Sequence, residues 1–199
     1  MRRIMLLSLL TLLLIPSGCV VGPFATTSYL PPAAPPPQKT TLQTTFDAAA
    51  TREQLRPGDN TISGSAFLKM DNGSIATAAG RTVHLYPVNA YSTEWASHWF
   101  RSTQRGYHEA YMDAPQFTDI PQEFYELQKT TVADAKGEFS FKKLADGEYF
   151  VMVDIIWTVR GERYNEYGNL VSDNYKTGGT LCKKVNVSGG EVQEIILTQ

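Results

Sequence analysis

The residues best suited to metal chemistry lie near the middle of the chain. Glu94 and His98 are four residues apart, so on a helix they would project to the same side, and His108 follows. Carboxylate and imidazole groups with such spacing can bind zinc. However, the HExxH pattern is absent, and the chain has only three histidines. We therefore predict no metal site and no cofactor, and keep a metal-dependent activity at these three residues as an alternative.

Motifs for other kinds of catalysis are absent from the sequence. There is no GxSxG nucleophile elbow, no P-loop and no pair of cysteines spaced for redox chemistry. Several aspartates stand beside Gly or Asn, where a carboxylate binds nearby backbone amides in a turn, with calcium ligation as the alternative. These are Asp71, Asp134, Asp146 and Asp173. The sequence therefore predicts no catalytic residues and a protein that is not an enzyme.

Aromatic residues form a second candidate site. Tyr91, Trp95 and Trp99 fall at i, i+4 and i+8, which places them along one side of a helix. Two interpretations are open. The stripe could pack on a sheet face and cover Met152 and Ile156, or it could form an exposed platform that binds a peptide or a glycan.

This stripe lies in a long segment, about residues 89–129, between the second and third predicted strands. Connections of this length are uncommon and are often functional. Ser92 could cap a helix that runs to about Arg105, and Pro115 and Pro121 favour irregular chain beyond it. We therefore predict one short inserted helix.

A third group of aromatic residues lies in the segment 161–179. Tyr164, Tyr167 and Tyr175 stand there among Asn, Ser and Gly, a composition that adaptable binding loops use. A flexible hairpin tip has the same composition, so both interpretations stay open. We include the three tyrosines in the candidate binding surface.

Short alternating segments separated by turn residues indicate the fold class. In Tyr149–Val159 every second residue is apolar or aromatic, which is typical of a strand buried on one face. Seven such segments predict an all-β protein, an antiparallel seven-stranded sandwich. The predicted strands are Thr61–Lys69, Arg81–Val88, Thr130–Asp134, Glu138–Lys142, Tyr149–Val159, Leu181–Val187 and Val192–Leu197.

Several of these segments resemble carboxypeptidase regulatory-like domains. The similar motifs are Gly64-Ser65-Ala66, Val83-His84-Leu85, TVADAKGEFSF at 131–141 and LADGEY at 144–149. The resemblance implies a transthyretin-like (prealbumin-like) sandwich over residues 61–199, interrupted by the insertion. It also implies an accessory module without a peptidase site.

The N-terminus carries an export sequence. Arg2 and Arg3 precede the apolar run Ile4–Ile15, which is too short to span a membrane. Pro16-Ser17-Gly18-Cys19 then resembles the lipobox of bacterial lipoproteins, although Pro16 replaces the usual Leu. The resemblance implies that the signal peptide 1–18 is removed and that Cys19 is acylated. As an alternative, Cys19 could pair with Cys182 in a secreted protein.

The residues after Cys19 indicate which membrane the protein is attached to and how far the domain stands from it. Val20 in place of Asp implies, by the same resemblance, the outer membrane, with the protein facing the periplasm. Residues 19–60 are rich in Pro, Ala, Thr and Gln, so we predict a disordered tether that holds the domain away from the membrane. Phe46–Arg56 could form a short helix within it.

The net charge of the chain limits the kinds of partner that we expect. The formal net charge is −2, and no basic run is present, so nucleic acid is not expected as a partner. We predict a lipid-anchored envelope lipoprotein that binds or scaffolds another envelope protein, a peptide or a glycan without catalysis. The alternatives are a subunit of an envelope secretion machine, by analogy of architecture alone, and a metal-dependent enzyme that uses the inserted helix.

Overall fold

A computed structural model describes residues 39–70 and 72–199, except for the side chain of Arg163. The predicted signal peptide, Cys19 and the Pro-rich part of the tether lie outside the described residues. Strands make up 52% and helices 14% of what is described, so the fold is mostly β, which confirms the all-β prediction in its coarse form. The elements are β1 (Lys39–Thr41), α1 (Ala48–Gln54), β2 (Asn60–Lys69), β3 (Ile75–Thr77), β4 (Thr82–Pro87), α2 (Ala90–Phe100), β5 (Arg105–Glu109), β6 (Gln116–Thr118), α3 (Gln122–Glu126), β7 (Lys129–Val132), β8 (Glu138–Leu144), β9 (Gly147–Tyr164), β10 (Leu170–Val187) and β11 (Val192–Leu197).

Two sheets pack face to face in a sandwich-like arrangement. One sheet has the strand order β5-β10-β9-β4-β7, and all of its pairs are antiparallel. The other has β11, β2 and β3 in order, with β8 also paired to β2. The β11–β2 pair is parallel, so the prediction of a purely antiparallel sandwich is wrong at this pair. The described residues form eleven strands rather than seven, because several short strands carry no alternation of their own.

The main core lies between the two sheets. It takes Val151, Val153 and Ile155 from β9, which are at most 2% exposed, and Ile62 and Ala66 from β2, which are fully buried. These are alternate residues of each strand, as the period-2 pattern in β9 predicted. Burying each large aliphatic side chain contributes about 1.5–3 kcal/mol, so this layer holds the two sheets together.

A second apolar cluster lies on the other face of the five-stranded sheet, under α2. Asn89 caps this helix: its Oδ1 accepts from the Ser92 amide at 2.9 Å, and Ser92 Oγ accepts from the Asn89 amide at 2.9 Å. This reciprocal capping box places Ser92 inside the first turn, so its predicted role as N-cap is wrong. The helix ends at Phe100, because Arg101 adopts a left-handed conformation with φ 50°.

The insertion 89–129 holds more structure than one helix. It contains α2 and α3, the strand β5 on the five-stranded sheet, and β6, which pairs in parallel with β1. The prediction of a single inserted helix is therefore wrong. β5 is five residues long and takes its conformation from pairing with β10, a tertiary contact that local sequence does not reveal.

Folded structure begins before the predicted boundary at residue 61. Helix α1, capped by Asp47, lies within the predicted helical segment Phe46–Arg56, and its Thr51 is buried. The Tyr149 hydroxyl donates to the Gln54 carbonyl at 3.1 Å, and Asn89 Nδ2 donates to Thr51 Oγ1 at 3.2 Å. Residues 39–60 are thus packed against the sandwich, and for them the prediction of a disordered tether is wrong.

The predicted loop 161–179 is a two-stranded ribbon. β9 and β10 pair continuously from Gly147–Val187 to Tyr164–Leu170, and a turn at Asn165–Asn169 joins them. Asn165 Oδ1 accepts from the amides of Tyr167 and Asn169 at 3.0 and 2.9 Å. The structure therefore follows the hairpin interpretation of this segment. The strands were predicted too short, ending at Val159 and resuming at Leu181, because polar residues on both faces of the ribbon remove the alternation that marks a half-buried strand.

Candidate binding site

The aromatic stripe of α2 packs on the sheet. Tyr91 and Trp95 are each 5% exposed and belong to the second cluster with Phe124 and Met152. Trp99 is half-buried at the edge of the same cluster. The structure therefore follows the packing interpretation, and Tyr91 and Trp95 cannot act as an exposed platform because their rings are covered.

The three candidate metal ligands, Glu94, His98 and His108, each contact different residues. The Glu94 carboxylate accepts hydrogen bonds from the amides of Gln43 and Thr44 at 2.7 and 2.8 Å, and these bonds lower the pKa of Glu94. His98 is exposed with its ring against Phe117. His108 packs edge-on against Trp99, with the ring centroids 5.1 Å apart. Within residues 39–70 and 72–199 no group of three His, Cys, Asp or Glu side chains is arranged to hold a metal ion.

Cys182 is a buried thiol in the second cluster. It is 6% exposed, and burial raises its pKa far above the ordinary thiol range. A buried, protonated thiol is inert towards nucleophilic and metal chemistry. Cys19, its partner in the alternative disulfide, lies outside the described residues.

The three ribbon tyrosines are exposed but do not form one surface. Tyr164, Tyr167 and Tyr175 are 73%, 79% and 54% exposed. Tyr175 is paired with Val159, on the face of β9 and β10 that continues the sandwich interior. Tyr164 lies on the opposite face, and Tyr167 lies in the turn. Only Tyr175 therefore shares a face with the core residues of β9.

An open cleft lies where this interior face leaves the sandwich; we call it the end cleft. Its volume is about 640 Å³, within the range of small-molecule sites. Tyr107 and Trp157 form part of its wall and pack against the main core with their inner edges. The lining residues are Leu68, Lys69, Met70, Asn72, Tyr107, Glu109, Tyr111, Trp157, Thr177, Gly178 and Gln199.

Two consecutive glycines make room for these rings. Gly178 has φ +84°, and a Cβ there would lie 2.6 Å from Cζ3 of Trp157. A Cβ on Gly179 would lie 2.6 Å from Cε2 of Tyr107. Because real Cβ atoms do not approach other atoms so closely, a larger residue at 178 would displace the Trp157 ring, and one at 179 would displace the Tyr107 ring. The glycine pair in β10 thus sets the shape of the end cleft.

The Glu109 carboxylate affects the pKa values of two tyrosines in the end cleft. The interaction of the Tyr111 hydroxyl with the nearby Glu109 carboxylate raises the pKa of Tyr111. Burial, with the Glu109 charge as a smaller contribution, raises the pKa of Tyr107. Tyr111 itself is 73% exposed. The end cleft therefore combines flat aromatic surfaces with an anionic hydrogen-bond acceptor, a set that suits a polar ligand with apolar faces.

A smaller pocket lies under α2, lined in part by His84, Trp95, Trp99 and Asp154. Its volume is about 180 Å³, below the range usual for ligand sites. Thr180 Oγ1 donates to Asp154 Oδ1 at 2.6 Å, so one polar group of its wall is already satisfied by the protein. The end cleft is thus the better candidate.

The sequence prediction missed Tyr107, Tyr111 and Glu109, because nothing local ties the insertion to the end of β9. Two features could have pointed to the end cleft. Trp157 stands near the end of the period-2 stripe of β9, and Gly178-Gly179 interrupts β10 directly after Thr177, the residue that pairs with Trp157. A glycine pair within a strand often marks a close approach of other atoms.

Comparison with known proteins supports the fold. A similar solved structure is the 2.61 Å crystal structure of a proposed carbohydrate binding protein from Pseudomonas aeruginosa. It shares 21% sequence identity with this chain at a TM-score of 0.60, over 78% of this chain and 99% of that one. At this identity the likeness shows the fold alone. No protein-family model and no curated protein matches the chain.

The three helices of the described chain are short. None of them, over residues 39–70 and 72–199, is long and apolar enough to cross a membrane.

Proposed function

We propose that the chain is a non-catalytic carbohydrate-binding module whose site is the end cleft. The observation that carries this proposal is the position of Trp157. This ring is half-buried in the wall of the end cleft, which Tyr107 and Glu109 also line. Sugars present apolar C–H faces that stack on aromatic rings and hydroxyls that donate to carboxylates. The similar protein from Pseudomonas aeruginosa, itself a proposed carbohydrate binding protein, favours the same ligand class.

The test is glycan binding by the wild-type domain and by Trp157→Ala. A glycan array would identify ligands, and calorimetry would compare affinities. We expect Trp157→Ala to weaken binding by about fivefold or more, since losing one stacked ring removes roughly 1 kcal/mol or more. Tyr125→Ala is the control, because Tyr125 is 44% exposed on α3, away from the end cleft. Equal glycan affinity of wild type and Trp157→Ala would refute the proposal.

We further propose that the module is anchored by Cys19 to the outer membrane and faces the periplasm. The lipobox-like Pro16-Ser17-Gly18-Cys19 and Val20 support this. Two or more acyl chains would make the anchor lasting. Membrane fractionation of wild type and Cys19→Ser tests it: wild type should sediment with outer membranes, and the variant should be released. Retention of Cys19→Ser in membranes would contradict lipidation at this residue.

The domain is also proposed to belong with carboxypeptidase regulatory-like, transthyretin-like domains. The quoted motifs fall on strands and turns of the sandwich: TVADAKGEFSF spans β7, a turn and β8, and LADGEY spans the turn into β9. Gly137, with φ +83°, supplies the left-handed residue of the first turn. Such membership fits an accessory module without catalysis.

Protein binding is the second candidate function, whether as an envelope scaffold or in a secretion machine. It is favoured by Tyr164 and Leu170, which pair directly across the ribbon and are 73% and 56% exposed. An exposed aromatic–aliphatic pair at a protruding tip suits contact with another protein. Crosslinking in intact cells with Tyr164→Ala as comparison tests this: a partner captured by wild type alone would support it.

A further inference from the structure

We propose that the ligand is an extended polysaccharide chain, which leaves the end cleft and runs along the interior-facing side of the β9–β10 ribbon. This inference rests on the proposed function, since it assigns the length and path of the bound glycan. The observation behind it is the exposed ring of Tyr175, which lies on the same face as Trp157 and farther out along the ribbon.

Strand pairing establishes the common face. Trp157 pairs with Thr177, Val159 with Tyr175, and Gly161 with Asp173. Each of these pairs is two residues farther along β9 than the last, so all three lie on the same face. Toward the sandwich this face continues through Ile155, which is buried in the main core. The face of β9 and β10 that lines the end cleft is therefore the same face that continues onto the exposed ribbon.

Gly161 determines where the Tyr175 ring lies. A Cβ on Gly161 would lie 2.6 Å from Cε1 of Tyr175, so the tyrosine ring extends across β9 at this position. Tyr175 remains 54% exposed, which leaves ring surface open to solvent. From Trp157 to Gly161 the strand advances by four residues, about 13 Å. That separation exceeds one sugar ring, so both aromatic rings can be stacked only by a chain of several sugar units.

A polar group accompanies the first of the two rings. Thr177 lines the end cleft directly across the strand pair from Trp157. Its hydroxyl can bind a sugar hydroxyl there. Two aromatic rings spaced along one face, with a hydroxyl beside the first, suit a repeating ligand better than a compact one.

An extended peptide is the competing occupant. A peptide that adds to a sheet would bind along a strand edge through backbone hydrogen bonds. The aromatic groups described here lie instead on the face of the ribbon, where a ligand meets side chains. The geometry therefore favours a glycan, and a peptide library included in the binding experiment tests the choice.

The experiment compares ligand length. The wild-type domain is titrated with the disaccharide and the hexasaccharide of the cello-, chito-, malto- and manno- series. We expect the hexasaccharide of the bound series to bind about tenfold more tightly than its disaccharide. Tyr175→Ala should lower hexasaccharide affinity to near the disaccharide value and leave disaccharide binding unchanged. Trp157→Ala should weaken both ligands, and Tyr125→Ala neither.

The outcomes separate this inference from the function on which it rests. Equal affinity for short and long ligands, or a Tyr175→Ala domain that binds the hexasaccharide as wild type does, would overturn the extended path while carbohydrate binding stands. Binding to no glycan on the array and to no member of the four series would overturn both. Peptide binding that Tyr175→Ala abolishes, in place of glycan binding, would also overturn the inference. Thermal unfolding of each variant identifies any loss caused by misfolding.

Discussion

Gly178 lies directly against the indole ring of Trp157: a Cβ on this glycine would come within 2.6 Å of the indole Cζ3. The same Cβ would also meet the carbonyl oxygen of Ile155, and the backbone of Gly178 has φ +84°. Position 178 therefore excludes any side chain for two independent reasons, steric contact and backbone conformation. The end cleft depends on this exclusion, because Trp157 is part of its wall.

The first prediction concerns this glycine. Gly178→Ala should lower the free energy of unfolding by roughly 2–4 kcal/mol, since a strained backbone conformation adds to a steric overlap. Gly168→Ala is the matched control: its φ is +75°, but a Cβ there meets nothing within 4 Å. It should cost only about 1 kcal/mol. Urea unfolding measures both, and equal losses would show that the contact with Trp157 is unimportant.

A second prediction concerns Asn60, a buried amide with every polar group satisfied. Its Nδ2 donates to Leu144 O at 3.0 Å and to Asp146 Oδ1 at 2.8 Å, while its Oδ1 accepts from the amides of Gly190 and Glu191. Asn60→Ala should therefore destabilise the fold by about 2–4 kcal/mol, because buried backbone groups lose their partners. Denaturant unfolding checks this against Asn72→Ala, which alters an exposed turn. A loss below that of Asn72→Ala would contradict it.

A third prediction follows from Glu94 and residues 39–46, which we call the N-terminal strap. Two strap amides donate to the Glu94 carboxylate, so the folded pKa of Glu94 is lower than its unfolded value. The stabilisation is therefore present above the unfolded pKa and is lost as pH falls through the folded pKa. Hydrogen exchange at Gln43 and Thr44 should speed up, relative to the ribbon turn, when pH is lowered into the acid range.

Glu94→Gln should produce the same loosening at neutral pH, since a neutral amide oxygen is a weaker acceptor than a carboxylate. Glu126→Gln on α3 is the control. Unchanged protection of both strap amides in Glu94→Gln would show that the strap is held by other contacts, such as the Phe46 ring against Tyr91.

A fourth prediction concerns Cys182. Because burial both covers the thiol and raises its pKa, native protein carrying Cys19→Ser should resist iodoacetamide at neutral pH. Modification should appear only as the domain unfolds in urea, with the same midpoint as the loss of tertiary structure. Mass spectrometry follows the labelling. Rapid modification of the native form would mean that α2 opens readily from the sheet.

The sequence predicted those parts of the fold that local patterns encode. The β9 stripe from Tyr149 to Ile155 is buried as its alternation indicated, and the predicted turns before Glu138 and before β9 lie between strands. The outer end of β9, residues 160–164, was missed because the ribbon carries polar residues on both faces. Similarly, β5 has no alternation of its own and is defined by its pairing with β10.

The candidate site was harder to predict than the fold. Aromatic residues at helical spacing marked Tyr91 and Trp95, but these rings complete a core, because the sheet face under α2 is itself apolar. The end cleft unites Tyr107 and Tyr111 of the insertion with Trp157, so it exists only once β5 has paired with β10. Such a site depends on tertiary contacts between segments distant in sequence.

The parallel pairing of β11 with β2 has a consequence for the newly made chain. Synthesis proceeds from the N-terminus, so residues 61–66 of β2 exist long before residues 192–197, their partners in the finished sheet. During that interval one edge of β2 offers open amides and carbonyls to any neighbouring chain. A chain that has not yet placed its last strand is therefore prone to aggregate through this edge, and a holding chaperone would protect it until residues 192–197 have paired.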